Sequence, residues 1–117
     1  MTARPPFRDL PELLAELRAR PGMYLGGKSV RNLNHLLSGF DLAEMAHEIP
    51  PEDRLGGFDW EGFERWVQSR FNPNKLNANS FYLAAHGTGS DDAGFDRWFE
   101  WYDAFRREQS APGLTAS

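Results

Sequence analysis

The sequence predicts an all-α protein, a compact bundle of about five helices. Three observations lead there. Apolar residues recur at helical spacing in several separate stretches. Each stretch opens on a residue suited to cap a helix, and all but the last close on proline, glycine or asparagine. Only residues 81–86 leave a strand open as an alternative, and their two alanines favour a helix. At 117 residues the chain fits one domain with its own core.

Residues 1–8, with two prolines, read as a flexible lead-in to a single helical domain over 9–108. Asp9 and Glu12 have the spacing of a capping box, and Pro11 sits where a first-turn proline is tolerated. Leu10, Leu13, Leu14 and Leu17 then form one stripe. Arg18 and Arg20 suit the negative end of that helix, and Pro21-Gly22 stops it.

Met23-Tyr24-Leu25 is expected to be a short extended segment lying across the bundle, released by Gly26-Gly27. Ser29 caps a second helix carrying Val30, Leu33, Leu36, Leu37 and Phe40. It is expected to run on through Leu42 and Met45 until Pro50-Pro51. Gly39 inside it marks either a close helix approach or a break. Asp59 caps a third helix, with Phe58 and Phe63 placed as a hydrophobic staple. Its face continues through Trp60, Val67 and Phe71, with Trp66 alongside.

The asparagine-rich stretch 72–80 reads as a loop, and Asn79 would cap a short helix at 81–86. Ser90 opens the last helix, with Asp91 and Asp92 at its positive end. Phe95, Trp98, Phe99, Tyr102 and Phe105 give it the strongest periodicity in the chain. Trp101 falls off that face and, with Trp60 and Trp66, is expected in an exposed aromatic patch. Residues 109–117 read as a disordered tail.

Composition narrows function more by exclusion than by indication. The chain has no cysteine, hence no disulfide, thiolate metal site or cysteine nucleophile. His35, His47 and His86 lack metal-ligand spacing, and no nucleophile elbow or triad pattern occurs. Gly87-Thr88-Gly89-Ser90 lacks the Gly-Lys-Ser/Thr ending of a phosphate loop, and two aspartates follow it. We therefore expect no enzyme activity, no cofactor and no metal. No apolar run is long enough to cross a bilayer, and the N-terminus lacks a signal-type stretch, so a cytoplasmic location is expected.

Charge is uneven. Residues 1–37 carry six Lys or Arg against three Asp or Glu, whereas residues 38–117 carry seven against fourteen. An acidic surface disfavours nucleic acid and favours a basic partner. Arg18, Arg20, Lys28 and Arg31 form the basic cluster. Within it Arg20, Tyr24 and Lys28 are candidate binding residues, and Trp101 is a fourth. Pro21, Gly22, Met23, Leu25 and Gly26 form the structural motif that carries them, with the apolar side chains plugging the core.

The segment Arg20-Pro21-Gly22-Met23-Tyr24-Leu25-Gly26 resembles an Arg-Pro-Gly-Met-Tyr-Ile-Gly segment near the start of the ATPase domain of DNA gyrase B-type enzymes. That resemblance implies, as an alternative, a degenerate nucleotide- or phosphate-binding module. The next helix lacks the Glu-x-x-x-Asn spacing of those ATPases, and no Asp-x-Gly-x-Gly follows, so no ATP-site residue carries over. Over residues 10–106 the order of this segment, the Phe63, Trp66, Val67, Arg70, Phe71 helix, Asn79-Ser80 and an aromatic last helix resembles a group of small bacterial proteins. By analogy with small acidic immunity proteins, we expect a non-enzymatic interaction domain whose acidic face meets a basic toxin.

Overall fold

A computed structural model describes residues 7–110. The expected lead-in and tail fall largely outside them, although Gln109 and Ser110 belong to the last helix. The described residues form helices α1 (Leu10–Ala19), α2 (Pro21–Leu25), α3 (Val30–Ala46), α4 (Trp60–Phe71), α5 (Ser80–Thr88) and α6 (Asp91–Ser110), with a 3-10 turn at Pro51–Asp53. The protein is all-α, with no strand among the described residues. Residues 81–86 are helical.

The caps explain where most helices begin. The Asp9 carboxylate accepts from the Glu12 N–H at 2.9 Å, Ser29 Oγ from Asn32, Asp59 from Gly62 and Asn79 from Tyr82. Each satisfies a first-turn donor that the helix itself leaves unpaired. The Phe58 and Phe63 rings lie 5.5 Å apart, as the staple requires. Gly26 and Gly89 close α2 and α5, both at φ +79°, where a side chain would be strained.

Two boundaries differ from expectation. The segment at 23–25 is not extended but part of α2. Pro21 stops α1 and at the same time begins the next helix, because a first-turn proline loses no bond. Met23 consequently points outward and is 73% exposed, and only Leu25 of the three apolar residues enters the core. The second difference is the end of α3. It stops at Ala46, four residues before Pro50, as Glu48 takes a left-handed φ of 55° and its N–H returns to the Met45 carbonyl at 3.0 Å.

The core is assembled around α6. Phe95, Trp98, Phe99, Trp101, Tyr102 and Phe105 are all buried. Trp98, with no exposed surface, stacks on Phe81 of α5 at 5.0 Å and meets Phe63 of α4 edge-on at 5.4 Å. Leu13, Leu14 and Leu17 close the core from α1, and Val30 and Leu33 from α3. Gly94 allows α5 and α6 to touch backbone to backbone: a Cβ there would lie 2.9 Å from Ala85 Cα.

One polar thread crosses this apolar interior. The fully buried Ser80 donates its N–H to Glu64 Oε1 at 2.9 Å and its hydroxyl to Glu64 Oε2. The Trp98 indole N–H donates to the Ser80 hydroxyl oxygen at 2.9 Å. A buried polar group left without a partner is destabilising, and here three helices share the partners.

Candidate functional site

Of the four candidate binding residues, the structure brings two together. Arg20 ion-pairs with Glu16, and the Tyr24 hydroxyl donates to the same carboxylate at 3.0 Å. That hydrogen bond pushes the Tyr24 phenol above its ordinary pKa, because only the protonated phenol can donate it; desolvation and the Glu16 charge act in the same direction. Lys28 turns away to Asp96 of α6, at 3.2 Å. The Leu25 carbonyl accepts from the Asn32 side chain at 3.0 Å, which ties the turn to α3. The segment thus acts as a corner piece, and all three polar side chains that it offers to a ligand already hold a carboxylate.

Trp101 is the fourth candidate, and its expected exposure is corrected. It is 6% exposed and stacks on Phe71 at 4.6 Å, since α6 is covered on this flank by the end of α4. Trp60 and Trp66 are half-buried against the core. The Trp66 N–H donates to Glu108 at 3.1 Å, and Arg70, above its ring at 4.8 Å, grips Glu108 with two bonds of 2.7 and 2.8 Å. The tryptophans therefore belong to packing, not to an exposed patch.

A different surface combines apolar exposure with charge. From residue 38 onward no side chain of α3 is buried. Leu42 and Met45 are 63% and 54% exposed, one helical turn apart on the same side. Asp41, Glu44, Glu48, Glu52 and Asp53 surround them in sequence, and no Lys or Arg occurs between Arg31 and Arg54. Several acidic side chains elsewhere are paired: Asp103 with Arg18, Asp96 with Lys28 and Glu108 with Arg70. The five carboxylates of 41–53 make no ion pair among the described residues. Glu44 instead accepts from the Leu55 N–H at 2.9 Å, and Arg54 donates to the Ile49 carbonyl, so the turn is held against the helix. The charge imbalance of this half was legible in the sequence. Its concentration on a helix end with no buried side chain was not, because the apolar spacing continues through Leu42 and Met45.

The described residues contain no group of three or more His, Asp or Glu placed to hold a metal ion, and no helix long and apolar enough to cross a membrane. A scan against protein-family models found no match, and searches of curated proteins and of solved structures found no similar chain.

Proposed function

We propose that this chain is a non-enzymatic interaction domain that binds a basic protein through the end of α3 and the turn that follows. The observation that carries the reading is the group of five carboxylates, none ion-paired among the described residues, around exposed Leu42 and Met45. Apolar surface supplies affinity once water leaves it, and the surrounding charge selects a basic partner and speeds its capture. An immunity-type role, in which this face occludes a basic bacterial toxin, is the form of the reading that suits a small acidic domain.

The test is recovery of partners by the tagged chain at low salt. A stoichiometric basic partner should co-elute, detach as salt screens the charges, and be lost when Asp41, Glu48, Glu52 and Asp53 are changed to their amides. Neutralising Asp92 and Asp96 on α6 should leave it bound. A partner insensitive both to salt and to the 41–53 changes would sink the acidic-face reading.

The alternative, a degenerate nucleotide- or phosphate-binding module at Arg20, Tyr24 and Lys28, requires the ligand to displace Glu16 and Asp96. A thermal shift with Mg·ATP decides it. Ligand at a hundred times its dissociation constant adds about 2.7 kcal/mol.

A further inference from the structure

Sharing no lining residue with the acidic end of α3, a cleft of about 600 Å³ lies between α1 and α6. Its apolar wall is formed by Pro11, Ala15 and Ala19 of α1, with the buried Phe99 and Tyr102 of α6 beneath. Its rim carries three guanidinium groups, Arg18 from α1 and Arg106 and Arg107 from α6, against a single carboxylate, Asp103. A chain of net charge −4 thus holds one concavity of net positive charge.

Two of the arginines are already positioned. Arg18 bonds Asp103 at 2.9 Å and lies over the Phe99 ring at 5.0 Å. Arg106 donates to the Tyr102 hydroxyl at 2.8 Å and lies over that ring at 5.6 Å. A guanidinium has five N–H donors, so each keeps several free. Arg107 makes no ion pair among the described residues. Favourable placement at a helix end accounts for Arg106 and Arg107 taken alone. Arg18 reaches the same rim from the end of α1, held there by Asp103, so guanidiniums from two helices face one concavity.

We propose that this cleft binds a small amphipathic anion, with its carboxylate or phosphate head between the guanidiniums and its apolar body against Pro11, Ala15 and Ala19. The volume falls in the range of small-molecule sites, and the planar fork of arginine matches both head groups. A rim of fixed donors beside an apolar wall favours neither a bare inorganic ion nor a neutral hydrocarbon.

The experiment titrates the full chain with phenyl phosphate, benzoate, inorganic phosphate and phenol, following backbone and arginine Nε–H signals by NMR. Phenyl phosphate or benzoate should give saturable shifts at Arg18, Arg106 and Tyr102, and the tighter of the two names the head group. Inorganic phosphate and phenol should each bind at least about tenfold more weakly, as each lacks half of the recognised chemistry. Arg107→Glu should weaken the better probe by about tenfold or more. Lys75→Glu, an equal charge change in the 72–79 loop, should leave it unchanged. The proposal is overturned by the absence of saturable shifts with both organic anions, by shifts that map elsewhere, or by equal binding to the Arg107→Glu chain. Equal affinity for inorganic phosphate, or for phenol, also overturns it, since one half of the cleft then plays no part.

Discussion

α3 and α6 are both long helices with apolar residues at helical spacing, yet they are used in opposite ways. α6 is buried over a wide arc, from Gly94 through Phe105. α3 is buried only at Val30 and Leu33, and past residue 38 none of its side chains is buried. The contrast teaches that periodicity reports what a helix can bury, not how many neighbours arrive to cover it. Most of the aromatic residues went to α6 and its partners, and Leu42 and Met45 remained for another use.

The sharpest way to break this comparison is to cut into α6. Trp98→Ala should cost about 3–5 kcal/mol in urea unfolding, from lost burial and from the cavity left among Phe63, Phe81 and Tyr102. A loss below about 1 kcal/mol would mean that α6 is not the centre of the core. The helical glycines refine the contrast. Gly94→Ala should destabilise by about 1–3 kcal/mol despite the better helix propensity of alanine, because the new methyl meets Ala85 backbone. Gly39→Ala, with open space around it, should instead stabilise by up to about 1 kcal/mol. Gains at both positions would remove the distinction between a widely buried and a sparsely buried helix.

The smallest effect belongs to the corner at Tyr24. Its raised pKa means that the neutral phenol is the form favoured by folding. The contribution is whole below the ordinary tyrosine value of about 10 and is lost as pH climbs past the higher folded value. Stability differences between the wild type and Tyr24→Phe should therefore be constant through neutral pH and shrink in strong alkali. A difference that persisted there would show that the hydroxyl contributes by something other than its bond to Glu16.

The helices were largely legible in advance because their caps are local. Asp9, Ser29, Asp59 and Asn79 each act within three residues of themselves. What stayed hidden depends on residues distant in sequence. Trp101 needed Phe71 to cover it, and the half-buried Glu64 needed Ser80, sixteen residues on, to hold its carboxylate against the core. Gly94 carried a signal that could have been read, a glycine amid strong apolar periodicity, which marks a close crossing. Proline misled in two ways: Pro21 restarts a helix at the point where it ends one, and Pro50 was preceded by an earlier stop at Glu48. The candidate site was legible as a charge imbalance only. Arg20, Tyr24 and Lys28 drew notice as a cluster, and the fold separates Lys28 from the other two.

The central position of α6 also bears on how the chain acquires its structure during synthesis. α1 precedes α6 in the chain, yet Arg18 finds Asp103 and Phe99 there, and α4 finds Trp98. Until those residues leave the ribosome, the four leucines on α1 and the aromatic face of α4 have no permanent cover. Such a polypeptide completes its core late, after an interval in which its apolar surface is open to chaperones and to other nascent chains. Its α5–α6 hairpin, closed by Gly89 and Ser90 alone, is the piece that can form first once the chain is released, because its contacts are near in sequence.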